Sequence, residues 1–553
     1  MRRAAGFAAA VAGCLAASAV AQETSPPPAA TFGETVEVRV ANLEVTVTDH
    51  EGLPVGGLSA DDFRLTVDGA EVPVQYFTEI RRGTAVEPAS GGTGTAGVAG
   101  VPDLVPGEPV GTSYLVFVDD FFPLARDRDR VLRALSDDVS RLQPEDRMAV
   151  VDFDGSQLDM LTSWTDSGRE LERAFRTAMS RPAGGVRRQA ERRAALGARS
   201  RPGIPSIPMA QLGALDPQLD VRERFYAEQL EQQLENEVSA AAASLRSFAA
   251  PPGRKVMLLL SGGWPYDIAD YVTDQFGRTF AEPSIRRGAD LYAPLVDTAN
   301  QVGYTLFTVD VPGLARTTAT DAELQAFPDD EARFTSFLRE NNEQYSLEWV
   351  AHETGGRTLV AADRFRALER AASATRSYYW IGFVPAWHGD DRRHQVKVTV
   401  RRPGLHVGAR SGYVDFSRSN EVTAEVESIL LFGSGPGVRP LDLELGRPGK
   451  GHGQTMSVPL RLSIPTGELT LLPAAGDRIA ELELRVAAID AHGARSEIPV
   501  IPIRLAVPKA PAPTGRARFA STLELRRTDN HLVVAVYDPV SGTLWSATAD
   551  VHP

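Results

Sequence analysis

The sequence of 553 residues holds one cysteine, Cys14. A single thiol excludes an internal disulfide framework, a multi-thiolate zinc site and a dithiol redox centre. Histidine is also scarce, nine in all and widely scattered, and no His-Glu-x-x-His is present: His352-Glu353 runs on into Thr354-Gly355-Gly356. The chain has no P-loop lysine and no Gly-x-Gly-x-x-Gly after its first long apolar run. Phe432-Gly433-Ser434-Gly435-Pro436 has the wrong glycine spacing for a nucleophile elbow. No catalytic residue is therefore assigned, and the chain is read as a non-enzyme. An excess of basic charge is missing too: 58 Lys+Arg against 72 Asp+Glu leaves −14, which argues against binding nucleic acid by neutralising phosphates. Beyond the N-terminus no stretch approaches the ~20 apolar residues a membrane-spanning helix needs. What is present is an ordinary globular composition, 43% hydrophobic, too apolar for a disordered chain and long enough for roughly three or four domains.

The first residues carry a targeting pattern. Arg2 and Arg3 precede an Ala/Val/Gly/Leu run, and Ala19-Val20-Ala21 stands before Gln22. That is a secretory signal peptide over 1–21, cleaved after Ala21, and it places the mature chain outside the cytoplasm or in the cell envelope. Val11-Ala12-Gly13-Cys14 offers the alternative of a lipidated N-terminus, the one route by which this chain would meet a membrane.

Hydrophobic periodicity divides the rest. Val36–Val40 and Leu43–Val47 alternate as half-buried strands do, and Asp68-Gly69 signals a turn, so 32–82 reads as a small β module. Residues 83–111, rich in Gly, Ala, Thr and Pro, read as a linker. From 112 to 382, apolar runs alternate with helical spacings, the pattern of a doubly wound parallel sheet with crossover helices. An insertion at about 181–250 interrupts it, opening with the arginine-rich stretch Arg181–Arg201, read as a solvated loop. A long helix is expected from Asp220, with Phe225, Tyr226, Leu230, Leu234, Val238, Leu245 and Phe248 close to one face. Residues 383–416 return to strand, and 422–553 reads as a C-terminal β-sandwich. Both flanks of the α/β region carry too few strands to close a core alone, so Val36–Val47 is expected to lie beside Gln395–Ala409 in one sandwich. The fold class is thus α/β plus all-β.

An ordered set of motifs carries a family resemblance. It runs through Val45-Thr46-Val47-Thr48-Asp49, Gly52–Leu58, Asp62-Phe63, Val67-Asp68-Gly69, Leu115–Asp119, Leu142–Arg147, Gly253-Arg254-Lys255, Glu353–Arg357, Arg401–Leu405 and Ala409–Tyr413. Over residues 32–416 the chain resembles bacterial VWFA-related domain proteins, which join an Ig-like lead-in to a von Willebrand factor type A domain. The resemblance implies a type A-like sheet. It also implies a metal-ion-dependent adhesion site, built from Asp-x-Ser-x-Ser, a threonine and a further aspartate, that holds Mg2+ or another divalent cation. Asp119 corresponds to the first aspartate, but Phe121 and Pro123 replace the serines, and Ser261 follows the strand where the last aspartate is expected. The site is degenerate. A residual metal set would be Asp119, Asp154 and Thr165, and Asp120, Ser261 and Asp310 complete a rim at the strand ends, where open α/β sheets place ligands. The expected function is that of an exported, non-catalytic binding or adhesion protein with no resident cofactor, whose partner is a protein or glycan. A structural envelope scaffold is the alternative, and a hydrolase a more distant one. Trp264, Tyr266, Trp380 and Trp387 are candidate exposed anchors.

Overall fold

A computed structural model describes residues 40–86, 104–196, 217–249, 253–272, 285–286, 288–313, 330–433, 437–474, 477–490, 495–507 and 515–553. The expected signal peptide over 1–21, Cys14, Val36–Arg39 and residues 87–103 and 197–216 lie outside them. The chain divides into two compact units, one of residues 39–417 and one containing residues 418–553.

In the first unit the elements in chain order are β1 (Ala41–Thr48), β2 (Phe63–Val67), β3 (Tyr76–Arg81), β4 (Thr112–Asp119), α1 (Ala125–Asp138), β5 (Arg147–Phe153), β6 (Leu158–Thr165), α2 (Gly168–Ser180), α3 (Gly185–Leu196) and α4 (Pro217–Ser247). There follow β7 (Arg254–Ser261), α5 (Ala289–Val302), β8 (Tyr304–Asp310), α6 (Asp330–Glu353), β9 (Arg357–Leu359), α7 (Ala367–Thr375), β10 (Tyr378–Phe383), β11 (Arg393–Val400) and β12 (Gly412–Val414).

A six-stranded sheet in the order β9-β8-β7-β4-β5-β6 forms the middle of this unit. Every residue of β4 and β8 is buried, because helices cover both faces and the sequence supplies near-continuous apolar runs there. On one face Val116, Val118, Val150 and Leu258 pack with Val131 and Leu135 of α1, Leu171 and Phe175 of α2 and Leu368 of α7. The helix α4 lies against β4 and β5 with Tyr226, Leu230, Leu234, Val238 and Leu245 buried, whereas Phe225, expected on the same face, is exposed.

Strands from both flanks of this region form two further sheets. β1 pairs with β10, Leu43 opposite Ile381, and then with 406–408, Val47 opposite Val407. β2 pairs with β11, Leu65 opposite Val398. Their inward residues, among them Val45, Phe63, Leu65, Tyr379, Ile381 and Val396, share one core, so strands more than 300 positions apart in sequence bury each other's apolar faces.

The expected architecture is corrected here. Among the described residues strand outweighs helix, 39% against 32%, and the strands are divided among several separate sheets, so a doubly wound parallel sheet of the type A kind does not describe them. Even the helix-covered sheet is mixed, since β6 runs antiparallel to β5 at its edge. The physical reason is the link Asp154–Gln157, far too short for a crossover helix but well suited to a hairpin. The arginine-rich stretch is corrected as well. Gly185–Leu196 is helical, and the Arg188 guanidinium is buried over the Phe121 ring, 4.6 Å from its centroid.

In the second unit, α8 (Arg418–Phe432) precedes β13 (Thr455–Pro465), β14 (Asp477–Asp490), β15 (Arg516–Arg526), β16 (Asn530–Asp538) and β17 (Thr543–Val551). β17, β16 and β14 are neighbours in one sheet, β13 and β15 in another. Val458, Leu460 and Leu523 meet Leu482, Leu484, Leu532 and Val534 in a common core. The reading of all-β structure from Val422 fails at α8: Val422, Val426, Ile429 and Leu430 have helical spacing and cover Ala487, Val533 and Ala535 on the sheet's other face.

Candidate functional site

Asp119 ends β4 with no solvent exposure. Its Oδ1 accepts the backbone N–H groups of Phe121 and Phe122, each at 2.9 Å. Its Oδ2 accepts Ser261 Oγ at 2.6 Å and Trp264 Nε1 at 3.0 Å. Four donors thus use both oxygens, a complete set of partners for one buried carboxylate. Desolvation pushes its pKa up to about 6, with the hydrogen bonds from Ser261 and the two amides working against the shift.

Beside it, Asp120 Oδ1 receives Arg128 Nη1 at 2.5 Å in an ion pair with both side chains about 1% exposed. Arg128 also bonds Asp129 Oδ1 through Nε and Nη2, and the carbonyl of Arg181 at 3.0 Å. Arg181 in turn bridges Asp152 at 2.7 Å and Asp159 at 2.5 Å. Burial raises the pKa of both Asp120 and Asp152, and for Asp152 the neighbouring Asp120 charge adds to the shift. The remaining buried oxygen of each, Oδ2, finds no protein donor. The two carboxyls interact with each other, the arrangement in which one proton serves two acids.

The other expected residues fall out differently. Asp310 lies opposite Ser261 in the β7–β8 ladder, so the two do share the rim with Asp119. Asp154 Oδ1 is taken by Ser156 N, Ser156 Oγ and Gln157 N, and holds the β5–β6 turn. Thr165 is not at this end at all. It sits opposite Met148, which is level with Tyr114, five residues or about 17 Å down β4 from Asp119. Its hydroxyl donates to Glu170 Oε2 at 2.7 Å, at the start of α2. Asp119, Asp154 and Thr165 therefore cannot close on one cation. The residues present do not fit the divalent ion that the family resemblance implies.

Sequence reasoning did not assign Arg128, Trp264 or Glu237 to this cluster. Trp264, a candidate exposed anchor, is fully buried, and Trp380 is buried too. Glu237 of α4 has no solvent exposure and, among the described residues, no hydrogen-bond partner at either oxygen. Burial, with the charges of Asp119, Asp120 and Asp154 nearby, holds its pKa well above the ordinary carboxylate range. Only the helical register of Tyr226, Leu230, Leu234 and Val238 hinted that position 237 flanks the buried face.

These shifts set a pH dependence. Each raised carboxyl binds more proton in the folded than in the unfolded state, so its contribution to stability falls as pH rises from about 4 through the folded value. His394, whose pKa is raised chiefly by its bond to Asp68, acts in the same direction. Lys255, pushed down to about 8 by desolvation, and Asp62 and Asp68, held low by hydrogen bonds, act outside this window. The thermal midpoint of residues 39–417 is expected to rise by a few degrees between pH 7.5 and pH 5, with Asp119 alone contributing about 1 kcal/mol. A flat or falling midpoint would refute the assignment.

A second feature of the same unit is a cleft of about 600 Å3, lined by the β3 hairpin, the end of β10, α7 and the segment after α1. Its walls include Val47, Val55, Leu142, Leu368, Ala372 and Tyr378. The acids on its lining are all engaged: Glu79 by Arg81, Glu369 by Arg141 and Arg366, and Asp146 by the amides of Thr112 and Gln143. Arg82 and Arg376 also line it, both exposed, with no ion pair among the described residues. Arg82 and Gly83 form the two-residue turn between Arg81 and Thr84 with φ of 53° and 79°. A turn with positive φ at both positions favours Asn-Gly, so arginine there costs roughly 1 kcal/mol.

Among the described residues no helix is long and apolar enough to cross a membrane. No family model matches the sequence, and no curated protein matches it. Weak similarity exists to solved structures. The pilus adhesin SpaC from Lactobacillus rhamnosus GG is 10% identical with a TM-score of 0.24, over 79% of this chain and 56% of that one. A calcium-binding mutant of β-glucuronidase 2 from Bacteroides uniformis is 11% identical with a TM-score of 0.14, over 20% of this chain and 12% of that one. The chain thus spans only a small part of the glucuronidase and little more than half of the adhesin. Similarity at this level carries no argument about fold or activity.

Proposed function

We propose that this chain is an exported, non-catalytic binding protein that engages a protein partner without a bridging metal. The observation that carries the reading is Asp119: the carboxylate expected to hold a cation spends both oxygens on Phe121, Phe122, Ser261 and Trp264. Asp120 and Asp152 are likewise tied to arginines, which disfavours using them as exchangeable acid and base. Export rests on Arg2-Arg3 and the run ending at Ala21, and lipidation at Cys14 is its alternative form.

The contact surface we favour is the cleft. Two uncommitted arginines beside aliphatic walls suit a partner segment that interleaves carboxylates with apolar side chains, since arginine is a frequent interface anchor. Arg82 sits in a turn where Asn or Gly would be cheaper, which fits a role outside folding. The test is fluorescence anisotropy with labelled peptides alternating Glu and Leu, in Mg2+-free buffer. Charge-assisted hydrogen bonds contribute about 1.5–3 kcal/mol each, so the R82E/R376E variant is expected to bind roughly 100-fold more weakly or worse. Unchanged binding by that variant, or binding only when Mg2+ is added, would refute the reading.

A further inference from the structure

We infer that Asp390, His394 and Asp415 form a structural transition-metal site, of the kind that takes Zn2+, which fixes the paired strands β11 and β12 and the segment before them. Their ligand atoms lie within 4.8 Å of one another. The decisive group is His394. Its Nδ1 is 2.7 Å from Asp68 Oδ2, a bond that places the proton on Nδ1 and leaves the Nε2 lone pair free. Nε2 is buried, has no hydrogen-bond partner among the described residues, and has Asp390 Oδ1 3.6 Å away. A carboxylate behind a histidine whose other nitrogen faces acidic oxygens is the arrangement of zinc-ligating imidazoles.

The surroundings fix these groups in place. Tyr413 stacks on the imidazole at 5.1 Å between ring centroids. Asp415 is buried, and its Oδ2 accepts the amides of His388 at 2.5 Å and Gly389 at 3.0 Å. Asp390 Oδ1 accepts Arg392 N at 3.1 Å. One imidazole with two carboxylates suits Zn2+ and its borderline neighbours better than Mg2+ or Ca2+, which prefer oxygen alone. Tetrahedral coordination needs ligand atoms about 3.4 Å apart, so binding draws the three side chains in by about an ångström.

The three ligands come from the segment before β11, from β11 itself and from the end of β12, so a metal here ties these paired strands together, while Asp68 in the turn after β2 holds the histidine from behind. This site shares no residue with the cleft or with the Asp119 cluster, and stands or falls independently of both.

The experiment is calorimetric titration of the untagged, chelator-stripped full chain with ZnCl2, paired with thermal melts and the visible spectrum of the Co2+ form. Saturable one-to-one binding is expected, with a thermal midpoint several degrees higher and Co2+ bands typical of nitrogen and oxygen ligands. H394Q should abolish binding, and D68N, which removes the charge behind the histidine and keeps an oxygen for the Gln395 amide, should weaken it 10- to 100-fold, each compared with the apo melt of the same variant. Because Asp415 also holds the 388–389 amides, the variants at His394 and Asp68 carry the test. Absence of saturable Zn2+ binding, or binding unchanged in H394Q, overturns the inference.

Discussion

Replacing Arg128 with methionine is expected to destabilise residues 39–417 by about 3–5 kcal/mol, the usual cost of removing one partner from a buried ion pair. Arg128 has no solvent exposure, and its Nη1 donates to Asp120 Oδ1 at 2.5 Å. Its loss strands a carboxylate already next to Asp152 and leaves the Arg181 carbonyl without its donor. The double variant R128M/D120N should recover a large part of the loss, because it removes the uncompensated charge instead of adding a contact. Denaturant unfolding followed by tryptophan fluorescence reads this unit well, since Trp164, Trp264, Trp349, Trp380 and Trp387 belong to it and only Trp545 to the other. A loss below about 1 kcal/mol would show that solvent reaches the pair.

The second large effect is at Asp119. Truncation to alanine removes the acceptor of four buried donors at once, and each unmet donor costs about 1–3 kcal/mol, so a total of roughly 4 kcal/mol or more is expected after partial relaxation. Asp119→Asn keeps the shape and one acceptor oxygen but turns an NH2 toward donors, and should lose about half as much. A carboxylate whose task is to hold a metal behaves in the opposite way: its removal relieves repulsion and leaves the fold intact or firmer. The direction of the stability change at Asp119 therefore separates a structural carboxylate from a ligating one.

Much of the element pattern was legible. Tyr114–Val118, Lys255–Leu260 and Tyr304–Val309 are apolar on both faces, and each is a buried strand. Asp119 and Ser261 could be expected at adjacent strand ends, because each directly follows one of those runs. The direction of β6 was the less legible part. Once Asp154–Gln157 closes a tight hairpin, Thr165 is carried away from Asp119 to the far end of the sheet, and a metal set drawn from linear motifs loses its third member. Arg181 opens a stretch that reads as a solvated loop, and nothing in the pattern singles out Arg128, since no periodicity announces that a guanidinium will meet a carboxylate 8 or 29 positions away in a buried cluster. The helix α8 was legible in principle, for 422, 426, 429 and 430 follow the helical period, but the strands after it dominated the reading. Asp68 and His394, 326 positions apart, meet only because β2 and β11 are paired.

The measurement that bears most directly on the account is titration of the purified protein with Mg2+, side by side with its Asp119→Asn variant, while the thermal midpoint of each is followed. The account predicts no saturable Mg2+ binding that depends on Asp119, and a lower midpoint for the variant with or without the ion. Saturable Mg2+ binding to the unaltered protein that vanishes in a variant of undiminished stability would contradict it, and would return Asp119 to the role of a metal ligand.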